Sequence, residues 1–417
     1  MNPRQVTALW IIAVALAIAV ALVKVSQQAT RDTATDRSPG DTLFEKFPAD
    51  KVASITLTST KGTITLKQKD DGWVLAERDD YPARTTNILS LLRTLGDLKV
   101  VQSMEAGPSF APRFGMDEHS RNAGERGVTA VFTDAAGNEI ARVSAGRVLD
   151  SGGRFIRNHA DESGFYTVND MLHMFDGEPI RWLDESFLRP EKISSIRVVE
   201  TTNPGVSLWH VARESEDGDF RLADGAPGEM LESSANESFK RLMSFARFQD
   251  VVPAAKIESA TADSRAPRIA TVETFEGFTY TFTITPAIPA ESEEDSGMPP
   301  APDDNLLAVS VAATLPSERK KGDDENEEIA AGLDQAFEER LATLTEKLEK
   351  EKALNGRTFR VTNATVEQFL KNRDDITTGP PEIEATDENA AAGSTPGTTT
   401  VTTPPIEIPL PGNDAGQ

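Results

Sequence analysis

The feature that most narrows the folds open to this chain is a pattern that recurs along it. Lys51-Val-Ala-Ser-Ile-Thr-Leu returns 141 positions later as Lys192-Ile-Ser-Ser-Ile-Arg-Val. In each copy apolar side chains fall at alternate positions, the period of a strand with one buried face. Asp71-Gly72-Trp73-Val74-Leu75 is then matched by Asp217-Gly218-Asp219-Phe220-Arg221-Leu222, a turn followed by a strand that opens with an aromatic ring. An amphipathic helix follows in both halves. The first, introduced by Pro82, carries Ile88, Leu91, Leu92 and Leu95; the second, introduced by Pro227, carries Phe239, Leu242, Met243 and Ala246. That spacing puts four side chains on one helix face. Val128-Thr-Ala-Val-Phe-Thr-Asp-Ala-Ala-Gly-Asn-Glu and Ile269-Ala-Thr-Val-Glu-Thr-Phe-Glu-Gly complete the series as hairpins with Gly-containing turns. Four landmarks in one order read as a duplicated fold, the alternative being the chance similarity that any chain of strands and helices offers.

Strands in runs, broken by single helices, favour antiparallel sheets with a packed helix over a doubly wound parallel sheet. The expected fold is α+β, with each unit reading β-β-β-α-β-β-β-β over 43–181 and 182–376. Two inserts interrupt the second unit, near 290–304 (AESEEDSGMPPAPDD) and 318–328 (ERKKGDDENEE). A helix is expected from Glu327 to Leu354, with Ile329, Leu333, Phe337, Leu341, Leu344 and Leu348 on one side and Asn355-Gly356 as its stop. Packing on its own unit is the reading taken there, and a coiled-coil dimer is the alternative.

From Leu9 to Val23 every residue is apolar. A twenty-residue helix over 6–25 would be roughly 30 Å long, the thickness of a bilayer's hydrocarbon core. Residues 1–25 are therefore expected to be a transmembrane anchor that contacts lipid. Arg4 would lie on the cytoplasmic side and the body outside the cytoplasm, in the inner-membrane topology. The segment after it lacks an A-x-A-like cleavage site, so a retained anchor is preferred to a cleaved signal peptide. Residues 26–42 read as a flexible tether. Residues 377–417, without Lys, Arg or aromatic side chains and rich in Pro and Thr, read as a disordered acidic tail.

Composition excludes several chemistries. The 417 residues hold 43 Lys+Arg against 67 Asp+Glu, a net charge of −24, and no Cys. An acidic chain lacks the phosphate-neutralising surface of a nucleic-acid binder. Without Cys there are no disulfides, thiolate metal sites or thiol nucleophiles. Nucleotide-binding glycine loops, H-E-x-x-H and G-x-S-x-G are missing too. His119, His159, His173 and His210 stand outside helical ligand spacing of one another. His159, within Arg157-Asn158-His159-Ala160-Asp161-Glu162, heads the best polar cluster and reads chiefly as a solvated turn, with a ligand or catalytic site as the alternative. Glu216-Asp217-Gly218-Asp219 and Asp303-Asp304 lack the pattern of a calcium loop. The pair Asp184-Glu185 meets a glycosidase's need for two acids in composition only. No residue is assigned a catalytic, cofactor-binding or metal-ligating role, and no cofactor is expected.

Several short segments together resemble the bacterial envelope family called domain of unknown function 4340. They are the N-terminal anchor, the strand-strand-Trp-strand opening, the Pro-led helix and Phe114-Gly115-Met116-Asp117. The hairpin from Gly153-Arg-Phe-Ile-Arg to Gly164-Phe-Tyr-Thr-Val and the closing Gln368-Phe-Leu-Lys-Asn-Arg-Asp-Asp complete the set. The resemblance spans roughly 43–376. Met116 stands where the family pattern has Leu, and the acidic insert near 290–304 is extra. The resemblance implies a single-pass envelope protein, encoded near gliding-motility-type ABC transporter subunits, with an accessory or scaffolding role. The expected function is a non-enzymatic, membrane-anchored extracytoplasmic interaction protein whose partner is an envelope protein, ABC transporter components being suspected. The alternative is an envelope hydrolase or glycan-binding protein with a site between the two units.

Overall fold

The computed structural model describes residues 37–378, apart from 151, 162–163, 290–303 and 320–326. The expected anchor at 1–25, most of the tether, the greater part of both inserts and the tail beyond 378 lie outside the described residues. Among the described residues no helix is long and apolar enough to cross a membrane.

The first half opens with β1 (Ser54–Ser59), β2 (Gly62–Lys69), β3 (Gly72–Leu75) and β4 (Tyr81–Pro82), then α1 (Thr85–Asp97) and β5 (Val100–Glu105). After the short α2 (Ala111–Phe114) come β6 (Val128–Thr133), β7 (Glu139–Val148), β8 (Arg154–Asn158) and β9 (Gly164–Val168). The second half runs β10 (Ile193–Glu200), β11 (Ser207–Ala212), β12 (Arg221–Leu222), β13 (Met230–Leu231), α3 (Ser233–Lys240) and β14 (Asp250–Val252). It continues with α4 (Ile257–Ala260), β15 (Arg268–Thr274), β16 (Phe278–Pro286), β17 (Asp304–Ala313), α5 (Glu327–Lys352), β18 (Thr358–Thr362), α6 (Asn363–Leu370) and β19 (Thr377–Thr378).

The strands pair antiparallel into two large sheets and one small ribbon, an α+β fold. The first sheet has the order β4-β3-β2-β1-β6-β7-β8-β9-β5 and the second β12-β11-β10-β15-β16-β17-β18-β14, while β13 pairs with β19. From β3 onward the first order becomes the second when nine is added to each strand number. Against the sequence pattern, the first half has one strand more after its helix and the second half two, β19 included, while β4 and β13 each add a strand ahead of the helix.

Alternation along the strands sends side chains to two different cores. In β9, Tyr166 and Val168 enter the main core, while Phe165 faces a satellite formed with Ala106, Ala111 and Met116. In the second sheet Leu307 enters the main core and Leu306 a second satellite with Val252 and Ala287. On the main-core side, Ile88, Leu91, Leu92 and Leu95 of α1 are buried, as their spacing predicts. Burying four such side chains contributes about 1.5–3 kcal/mol each. The Phe114-Gly115-Met116 segment lies directly on the first sheet. A Cβ on Gly146 would fall 2.1 Å from the Phe114 carbonyl oxygen, and one on Gly127 2.5 Å from that of Gly115. Only glycine fits that close approach.

The second helix departs from expectation. It stops at Lys240, so Leu242, Met243 and Ala246 follow in irregular chain, with Met243 held at φ +59°. The break carries Phe248 into an aromatic cluster between the two halves. Its ring centroid is 5.9 Å from Tyr81, 5.3 Å from Phe187 and 5.1 Å from Phe359. Residues of both sheets belong to one continuous hydrophobic core. Helix α5 ends at the expected Asn355-Gly356 stop, with Gly356 at φ +74°. It buries Leu344 while Leu333 stays exposed.

Candidate functional site

Three places gather polar or exposed side chains. The first lies where the halves meet. Arg78 donates from Nε and Nη2 to both oxygens of Asp250, at 2.7 and 2.8 Å, and the Asp79 carboxylate accepts from the Ala254 amide at 2.7 Å. The Arg357 guanidinium sits 5.7 Å from the Tyr81 ring centroid and donates to the Asp79 carbonyl at 2.6 Å. A bidentate pair and packed rings fix the orientation of the halves. Asp184 and Glu185, the acid pair singled out in the sequence, lie near this junction without converging. Asp184 accepts from the Ser186 amide at 2.8 Å, and Glu185 pairs with Arg84 at 2.7 Å.

The second is a polar chain on the satellite side of the first sheet. Thr129 donates to Glu118 at 2.8 Å and lies 2.8 Å from the Ser144 hydroxyl, which is 2.7 Å from His159 Nε2. The register explains it, since Thr129 faces Ser144 across β6 and β7. Burial, then the nearby Arg157 charge, push the His159 pKa down to about 4, so the ring is neutral at pH 7. Ser144 is 1 % exposed, so its hydroxyl is closed to a substrate. The expected solvated turn is therefore corrected. Asn158, on the inward face of β8, and Asp161, in the turn beyond it, are both buried, because the turn folds back on itself: Asp161 accepts from the Tyr166 hydroxyl at 2.6 Å and Asn158 Oδ1 from the Ala160 amide at 3.1 Å. His159 lies by the β8–β9 connection, toward the far edge of the sheet from β4.

The remaining sequence candidates are separate. His119 and His173 are exposed, while His210 bonds Ser195 at 3.0 Å in the second sheet. Asp219 is bound by Asn236 and Lys240, Glu216 pairs with Lys192, and Asp304 pairs with Arg360. Among the described residues no three His, Asp or Glu side chains are grouped to hold a metal ion.

The third place escaped the sequence reading. Between the link at 180–189 and the chain after α3 lies an open groove of about 510 Å³, floored by Ile180, Phe187, Leu188, Met243 and Phe248. Phe245 stands beside it, 88 % exposed. Arg189 and Arg247 flank it. The helical spacing of Phe239, Leu242, Met243 and Ala246 hid the site, because an uninterrupted helix would have no loop there.

Residues 73–265 match the family model described as Domain of unknown function (DUF4340). The match runs from β3 to just ahead of β15, across both sheets, and bears out the family resemblance carried by the sequence. No curated protein and no solved structure matches the chain.

Proposed function

We propose that this chain, residues 73–265 of which match the DUF4340 family, is a non-enzymatic, single-pass membrane-anchored interaction or scaffold protein of the cell envelope. Its amino terminus is cytoplasmic and its body extracytoplasmic, and it serves as an accessory to an ABC transporter. The two halves arose by duplication, a reading supported by their shared strand order and the recurring sequence landmarks. The observation that carries the functional proposal is the Leu9–Val23 apolar run ahead of a body whose halves are locked by the Tyr81, Phe187, Phe248 and Phe359 rings. A tethered rigid body suits presentation of surface to a partner. Those rings pack together at the centre of the junction, Asp184 and Glu185 bond to separate partners, and the His159 chain lies elsewhere, which weighs against the hydrolase alternative.

The test is cross-linking in intact membranes followed by identification of co-purified chains. Transporter subunits or another envelope protein are expected at constant stoichiometry. Recovery of the protein alone, under conditions where known membrane complexes survive, would sink the proposal. Protease treatment of sealed spheroplasts checks the topology, with digestion of the body expected.

A further inference from the structure

We infer that the groove between residues 180–189 and 243–248 is the surface through which the protein takes its partner, and that the partner presents an acidic segment carrying apolar side chains. This rests on the interaction reading above and names the surface and the chemistry it recognises. Phe245 is 88 % exposed, while the neighbouring Met243 and Phe248 are each 6 % exposed. A large aromatic ring left in water beside an open groove is a feature of binding surfaces, where such rings supply the central contact. The ring is held there by structure. Met243 adopts φ +59°, a left-handed conformation that costs a bulky residue energy, in the same turn that buries Met243 and leaves Phe245 exposed. Both walls are pinned from below. Lys347 Nζ donates to the Arg189 carbonyl at 2.8 Å, and the Thr365 hydroxyl donates to the Arg247 carbonyl at 3.3 Å. A groove fixed before binding loses less freedom when it is filled.

Charge selects the occupant. Among the described residues the Arg189 and Arg247 guanidinium groups have no ion-pair partner, whereas Glu185, the acid lining the groove, is paired with Arg84 at 2.7 Å. Two uncompensated cations on a chain of net charge −24 form a locally positive surface around the exposed Phe245 ring. A second copy would set the same arginines against each other, so an acidic apolar segment of another protein fits better. A groove of about 510 Å³ accommodates a few side chains of such a segment.

Two measurements on the full-length protein test this. Fluorescence anisotropy with a labelled octapeptide of alternating Glu and Leu should show saturable binding. The corresponding Lys/Leu and Glu/Ser peptides should bind at least tenfold more weakly, and so should the Glu/Leu peptide to Phe245→Ala and to the Arg189→Glu, Arg247→Glu double variant. Equal binding of the three peptides, or unchanged binding to the variants, overturns the inference. In cells, a photo-cross-linker at Phe245 should trap an envelope protein through an acidic peptide identified by mass spectrometry, and one at Val206, an exposed residue in the β10–β11 turn, should not. A cross-link to lipid or to a second copy overturns it, as does an adduct that survives the double arginine variant. If co-purified partners persist in that variant, this surface is wrong and the interaction reading stands. If no partner co-purifies with the wild type, the interaction reading itself fails.

Discussion

Helices α1 and α3 occupy the same place in two sheets of the same strand order, yet one runs on and the other breaks. Over the spacing that begins at Ile88 in one half and Phe239 in the other, α1 continues through Leu91, Leu92 and Leu95, all buried. Helix α3 ends after Phe239, and its counterparts Leu242 and Met243 are buried from irregular chain. Apolar spacing alone therefore specifies which side chains go inside without fixing the backbone that delivers them. What separates the two is a distant partner. Phe248 reaches Tyr81, Phe187 and Phe359 only because the helix has already turned away. The break builds both the junction and the groove.

The comparison breaks most sharply at Phe248. Phe248→Ala should cost about 3–5 kcal/mol, and Leu95→Ala in α1 about 2–5 kcal/mol. Urea unfolding followed by tryptophan fluorescence checks both. Because the core is continuous, each variant should shift one shared transition. A transition split in two by either variant would mean that the halves fold separately. Gly146→Ala should cost about 1–3 kcal/mol, because the Phe114 carbonyl must move to admit a methyl group. The thermal midpoint reads that loss.

Arg78→Ala removes the bidentate partner of Asp250 and should cost about 1–3 kcal/mol, measured by the same urea series. The halves should also differ in the sign of their pH dependence. His159 titrates near 4 when folded, against 6.5 for a free ring, so between those values the unfolded chain binds more protons. Its contribution is present above about 6.5 and is lost as the pH falls toward 4. Burial raises the pKa of Glu351, whose carboxylate accepts from the Tyr280 hydroxyl at 2.7 Å beneath α5. Its contribution is complete below the ordinary value of 4.5 and is lost as the pH rises through the folded value. Thermal midpoints across pH 4–8 should show His159→Gln removing an acid-side loss and Glu351→Gln an alkaline-side loss. Slopes of the same sign would refute the assignment. The smallest effect is expected at exposed Leu333, where Leu333→Ser should change stability by about 0.5 kcal/mol or less.

Much of the architecture was legible because it is local. The alternation in Ser54–Ser59 and Ile193–Glu200, the Gly137 and Gly277 turns, the α1 face and the Asn355-Gly356 stop each need only neighbouring residues to form. The groove was illegible for the opposite reason. Its two walls are drawn from segments some sixty positions apart, and its key residue, Phe245, is notable only for what fails to cover it. The His159 chain fell between these cases. The sequence marked His159, but Thr129 and Ser144 are ordinary strand residues until sheet register sets them face to face.

By itself, then, the sequence determined the α+β class, the antiparallel runs, the family resemblance and the acidic balance, because periodicity, turn chemistry and composition act over a few residues at a time. Tertiary structure alone decided where α3 ends, which polar groups of the 157–161 stretch are buried, and which aromatic rings lock the halves and which one faces water. Those outcomes depend on contacts between residues far apart in the chain, where burial against a distant partner outweighs the local preference to continue a helix or leave a turn in solvent.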